Sequence, residues 1–196
     1  MNGRTIAAFC MAATAAIRVH GQSPLAPARL NGFFGFIDTT GKEVIPHRLL
    51  LGRLTFREGM TDVRDVHHRW GFITAMGMEA VPPQFDDVEF FSEGLCVVKK
   101  EGEYGYIDKN GRFAFEAFYR GAGPFCEGLA AVFDGKAWGF IDKSGKQVVD
   151  FFFEDALYFS EGAAPVKKGG KWSAIDRSGR PVAPFDFEEF YPFRAG

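Results

Sequence analysis

Short apolar runs return along this chain at a fixed interval, each set off by glycine. The clearest unit opens with Gly128-Leu129-Ala130-Ala131-Val132-Phe133, passes through Asp134-Gly135-Lys136, and continues as Trp138-Gly139-Phe140-Ile141-Asp142. Asp-Gly between two β-rich runs predicts a hairpin, because those residues tolerate the positive φ of a tight turn. Lys143-Ser144-Gly145 and Lys146-Gln147-Val148-Val149 follow. There Asp142 can accept backbone N–H bonds and Gly145 can take the left-handed position. Each unit therefore reads as about three antiparallel strands in a meander. A less regular segment, Asp150 to Phe159, leads to the next unit.

Two markers keep time. Gly-Phe-Ile-Asp-x-x-Gly or a drifted form begins at Gly35, Gly71, Gly105, Gly139 and Ser173, a spacing of 36 residues once and 34 thereafter. Phe-x-Glu-Gly places its glycines at Gly59, Gly94, Gly128 and Gly162. Repetition in phase makes the chain an array of one small unit. On the motif strand Trp138, Phe140 and Asp142 share one face, and Gly139 and Ile141 the other. Both faces carry apolar groups, so stacked neighbours should cover both, with the glycine admitting a close backbone or ring. No stretch sustains a helical period, and connectors such as Pro83–Phe91 are expected to hold an edge strand or a short helical turn. The expected fold is all-β: tandem ~34-residue antiparallel β-meander repeats stacked as an open twisted β-solenoid, with a small β-propeller as the alternative.

Trp138-Gly139-Phe140-Ile141-Asp142, together with Phe125-x-Glu127-Gly128-Leu129-Ala130, resembles the WG repeat family, named for its Trp-Gly pair. The pair stands as Trp70-Gly71 and Trp138-Gly139, and in drifted form as Phe34-Gly35, Tyr104-Gly105 and Trp172-Ser173. The resemblance spans residues 31–196 as five repeats. The first begins without its leading strand and the last is truncated before its own, as a degenerate cap or a piece of a longer array. The second copy departs most, with Thr74 in place of Asp and Met76 in the turn. The resemblance implies no shared enzymatic activity, no agreed catalytic or ligand residues, and an exported or envelope-associated protein.

Composition narrows the function classes. A formal charge of −2 supplies no basic field for nucleic acid or acidic membranes. Residues 1–21 read as a signal peptide: Arg4, then the apolar run Thr5–Ile17, then Gly21. A cut after Ala28 is the alternative, as is a misassigned start or a short amphipathic helix. Removing residues 1–21 takes away Arg4 and Arg18 and no acid, which moves the charge from −2 to −4. Residues 22–30 then read as a linker. The expected location is the periplasm, envelope or exterior, or the cytoplasm if the segment is not a signal. The three cysteines do not make a disulfide framework: Cys10 belongs to the leader, Cys96 takes a small strand slot, and Cys126 takes the slot of Ser92 and Ser160.

Candidate chemistry is sparse. Asp38, Asp108, Asp142 and Asp176 recur singly beside turn glycines, which suits turn acceptors and not the six or more converging oxygens of a calcium site. Glu58, Glu93, Glu127 and Glu161 repeat as well, and are expected to bond the tight backbone beside them. His67 and His68 fall in a turn, with no zinc spacing. No catalytic, cofactor or metal residues are assigned. Trp70, Trp138 and Trp172 share one phase and could form a stacking ladder for a glycan, although repeat-interface core is the stronger reading. With His67 and His68 they make the candidate ligand surface. The expected function is a non-enzymatic exported module that binds protein or peptide, with carbohydrate or cell-wall binding through the aromatics as the alternative.

Overall fold

The computed structural model describes residues 25–49, 53 and 55–193. The signal-peptide segment 1–21 lies outside them. The described residues form two compact units, one of residues 25–102 with 107–112, the other of 103–106 with 113–193. In the first unit, β1 (Ala26–Leu30), β2 (Phe33–Ile37) and β3 (Glu43–Leu49) form one meander. A second is β4 (Met60–Arg64), β5 (Trp70–Thr74) and β6 (Glu79–Phe85), after which β7 (Asp87–Val88) pairs with β8 (Cys96–Lys100). The chain passes between units at β9 (Glu103–Ile107). The second unit holds a four-stranded sheet, β10 (Gly121–Ala122), β11 (Leu129–Phe133), β12 (Trp138–Asp142) and β13 (Gln147–Phe153). A three-stranded sheet follows, β14 (Asp155–Ala156), β15 (Ala163–Lys168) and β16 (Lys171–Asp176). The protein is thus an all-β array of small antiparallel meanders.

The array starts earlier than the sequence led us to expect. Residues 26–30, assigned to a linker, pair with β2 from Ala26↔Ile37 to Leu30↔Phe33 and supply the leading strand that the first repeat was thought to lack. Asn31 and Gly32, with φ of 53° and 89°, form the connecting two-residue turn. Asn-Gly is among the strongest hairpin signals, and it outweighs the weak strand character of Ala-Pro-Ala. The Pro83–Phe91 connector contains the end of β6 and the edge strand β7.

Register is the same from repeat to repeat. β11 meets β12 from Leu129↔Asp142 to Phe133↔Trp138, as β4 meets β5 from Met60↔Thr74 to Arg64↔Trp70. The next pairing slips at the motif glycine, between Trp138↔Phe153 and Phe140↔Val149. A Cβ on Gly139 would lie 2.8 Å from the Val149 carbonyl oxygen and 3.0 Å from the Phe151 ring, so the bulge requires glycine. In the last copy Ser173 stands at this position, and its hydroxyl donates to the Ala183 carbonyl at 2.6 Å.

Phe and Ile of the motif divide the core between them. Phe72 packs with Val88, Phe91, Val98 and Ile107, whereas Ile73, the next residue, packs with Phe36, Ile45 and Val63. The phenylalanine therefore faces the following repeat and the isoleucine the preceding one. A ring of each Phe-x-Glu-Gly segment completes the joint. Phe36–Phe56, Phe72–Phe91, Tyr106–Phe125 and Phe140–Phe159 have centroids 5.1, 4.9, 4.8 and 5.0 Å apart in tilted or edge-on geometry.

The turn acceptors behave as expected. Asp142 Oδ1 accepts the Ser144 N–H and hydroxyl and the Lys146 N–H, and Thr74 Oγ1 substitutes for the carboxylate by accepting from Met76 and Met78. The glutamates do more than brace their own turns. Glu58 and Glu127 sit at φ of 50° and 53° in two-residue turns with Gly59 and Gly128. Their carboxylates accept from the turn glycine of the next repeat, Gly94 N–H at 3.1 Å and Gly162 N–H at 3.0 Å. Cys96 and Cys126 are buried free thiols.

Phe140→Ala should cost about 3–5 kcal/mol of unfolding free energy, because it empties a fully buried joint between sheets. Phe152→Ala, at a ring that is 44% exposed, should cost less than about 1 kcal/mol. Urea unfolding of both variants checks this, and equal losses would refute the assignment of the joint.

Candidate binding grooves between repeats

Each residue of the expected ligand surface has a defined place. His67 and His68 are exposed in the β4–β5 turn, where Asp65 Oδ1 accepts the His67 and Arg69 N–H groups and His68 takes φ 64°. Trp70, Trp138 and Trp172 are all half-buried. Arg64 lies over the Trp70 ring at 5.3 Å, Phe133 tilts against Trp138 at 5.5 Å, and the Trp172 backbone exchanges hydrogen bonds with Phe187. Among the described residues no cluster of three or more His, Cys, Asp or Glu is arranged to hold a metal ion.

Trp138 borders a recess. In the second unit a depression of about 310 Å³, counting space open to solvent, runs between the Ala122-Gly123-Pro124 and Ala156-Leu157-Tyr158 segments, with Ala131 and Trp138 completing its wall. Both segments occupy the same place in their repeats, immediately before the ring of Phe-x-Glu-Gly (Phe125 and Phe159). Counting from that ring, the equivalent positions in the first unit are Arg53 for Ala122, Asp62 for Ala131, and Val88, Glu89 and Phe90 for Ala156, Leu157 and Tyr158. One architectural position is therefore apolar and open in one unit and charged in the other.

The charged groove centres on Arg53. Its main-chain N–H donates to Asp62 Oδ2 at 3.1 Å, and its Nη2 donates to the Val88 carbonyl at 2.7 Å and lies 3.8 Å from Glu89 Oε2. The guanidinium stacks over the Phe90 ring at 4.6 Å, and Arg57 approaches the same ring at 4.9 Å. Val88 belongs to a pair whose backbone groups turn away from β8, since the flanking bonds run from Asp86 N–H to Lys99 O and from Glu89 N–H to Val97 O. Its own N–H is capped by Asp87 Oδ1, which leaves the carbonyl for Arg53.

Asp62 is the anomaly. It is 2% exposed, and its Oδ1 has no hydrogen-bond partner among the described residues. Burial raises its pKa above the ordinary aspartate value, against the lowering effect of the Arg53 N–H and charge. Burial raises Glu89 as well, and the nearby Asp87 and Asp62 charges add to it. Burial also pushes the Cys96 thiol well up, with its Sγ–H directed at the Glu89 carbonyl. The sequence held a signal for this site that the repeat pattern overshadowed: Asp62 stands in a slot filled by Val97, Ala131 and Pro165 elsewhere.

A raised folded-state pKa means the native state holds the proton more tightly than the unfolded chain does. The resulting penalty is absent below the unfolded value and grows as pH rises through the window up to the folded pKa. Asp62→Asn should therefore gain stability relative to wild type between about pH 4 and about pH 7, with Glu89 supplying a residual slope of the same sign. Urea unfolding at both pH values tests this, and parallel pH profiles for the two proteins would contradict it.

Comparison with known proteins agrees with the geometry. Residues 34–49, 70–104, 104–136, 138–172 and 173–196 match the WG containing repeat. Among curated proteins no sequence matches the chain. Among solved structures it is similar to Hsv2 of Kluyveromyces lactis, a β-propeller, with a TM-score of 0.51 and 10% identity over 81% of this chain. That match covers 58% of Hsv2, so the chain spans less than two thirds of the structure it resembles. It is also similar to virginiamycin B lyase from Staphylococcus aureus, with a TM-score of 0.43 and 14% identity over 82% of this chain and 69% of that one. The Hsv2 likeness is one of fold, and it matches the propeller alternative among the two stacking arrangements expected from the sequence. With the repeat matched along most of its length, the chain belongs to the WG containing repeat family.

Proposed function

We propose that the protein is a non-enzymatic, exported repeat module that binds a protein or peptide segment in the grooves between its repeats. One observation carries this reading: a constant frame presents the same groove with different chemistry, Arg53, Asp62 and Glu89 in one unit and Ala122, Ala131 and Leu157 in the other. Variation confined to grooves on a repeated scaffold is how repeat proteins build recognition surfaces. WG-repeat proteins are in general non-enzymatic. Asp62 and Glu89 are carboxylates off the repeat phase, but Asp62 is 2% exposed and accepts the Arg53 main-chain N–H, while Glu89 faces the Arg53 guanidinium at 3.8 Å, so neither stands ready as an acid–base pair for a substrate. Carbohydrate binding is the second reading, favoured by Trp138 and Tyr158 in the wall of the apolar depression.

Export is tested by the mass of the mature product, which should lack residues 1–21. Partner class is tested by crosslinking the full chain to its native envelope fraction beside a glycan panel. A protease-sensitive partner whose capture falls about tenfold when Ala131→Glu fills the depression supports the reading. Glycan binding abolished by Trp138→Ala would replace it with the second.

A further inference from the structure

We propose that the groove around Asp62 is a socket for an arginine side chain, in which Arg53 is a resident occupant that an arginine of a partner segment displaces. This deepens the peptide-binding reading and rests on it. Three carboxylates, Asp62, Asp87 and Glu89, border the groove, against two cations, Arg53, which reaches into it, and Arg57, which approaches the Phe90 ring at its edge. The charge therefore favours a second cation or a better-placed one.

Arg53 satisfies the groove incompletely. Its guanidinium serves the Val88 carbonyl and stands at long range from Glu89, while only its main-chain N–H reaches Asp62. Asp62 Oδ1, on a residue only 2% exposed, has no hydrogen-bond partner among the described residues. A buried carboxylate oxygen without a donor costs stability. The other repeats show that the fold does not need it, because Val97, Ala131 and Pro165 fill the slot without charge. A costly group that the scaffold does not require is a mark of a binding site.

The groove's features match a guanidinium over an ammonium. Phe90 offers a flat ring that already receives two guanidiniums, Arg53 at 4.6 Å and Arg57 at 4.9 Å, and Arg53 is the one an incoming arginine would replace. The acceptors are spread among the outward Val88 carbonyl, Glu89 and Asp62 Oδ1, which suits the planar, forked donors of arginine better than a point charge. Arg53 is itself exposed, so its side chain can leave without unpacking the core.

The test uses the full chain and Nα-acetyl-arginine methylamide, a blocked arginine whose only charge is the guanidinium, with the matching lysine compound as control. By calorimetry at neutral pH and low salt, Arg53→Ala should bind the arginine probe about tenfold more tightly than wild type and prefer it over the lysine probe. Adding Asp62→Asn should remove about tenfold of that affinity. The proposal is overturned if Arg53→Ala binds no better than wild type, or if Asp62→Asn leaves binding unchanged. Should Arg53→Ala not fold, Arg53→Gln, which keeps the stem and removes the charge, decides by the same criteria. Probe binding without any peptide partner would leave the socket standing and remove the peptide reading. A peptide partner captured equally by Asp62→Asn would do the reverse.

Discussion

Phe140 and Ile141 are neighbours in sequence, point to opposite faces of β12, and are both buried to within 1% of their surface. A strand of this kind cannot end a structure, since each face needs another sheet to cover it. The pairing of faces is directional. Phe72 looks to the following repeat and Ile73 to the preceding one, and a ring from the next Phe-x-Glu-Gly segment locks the joint at 4.9 Å. The fixed period, the connector that carries each chain segment to the next sheet, and the aromatic richness of the sequence all follow from that requirement.

The hydrogen bonds reinforce the same joints. Glu58 and Glu127 adopt a left-handed backbone to form their own turns, and their carboxylates then accept from Gly94 and Gly162 one repeat on. One residue thus sets a turn and fixes the next turn against it. The carboxylates are partly exposed, so each such bond stabilises modestly by itself. Their larger effect is on register, because they hold successive turns at one spacing. The packing of buried rings supplies most of the stabilisation.

Against this regular frame the groove before each Phe-x-Glu-Gly ring varies freely. Val88 and Ala156 there lie on two-residue strands, and the outward backbone of Val88 is free to accept from Arg53. Asp62 departs furthest from its equivalents, and its burial and bare oxygen both oppose folding. Chemistry that weakens the scaffold at one copy of a repeat, while the other copies keep apolar residues, is not demanded by the architecture.

The in-phase markers alone were enough to establish the meander, the double burial of the motif strand, the close approach at Gly139 and the turn role of Asp142, because each is written in the alternation and turn residues of a single unit. They passed over the first strand: Ala-Pro-Ala has little β-propensity, and its place comes from pairing with β2 through the Asn31-Gly32 turn. They also passed over the groove. Arg53 meets Asp62 within its own repeat, its N–H 3.1 Å from the carboxylate, but only packing of consecutive repeats brings its Nη2 to the Val88 carbonyl and toward Glu89. Local periodicity encodes the repeating unit, since strand and turn preferences act over short range. The chemistry of the grooves was decided by tertiary structure, since burial and long-range contacts choose which charges meet and which oxygen stays unpaired.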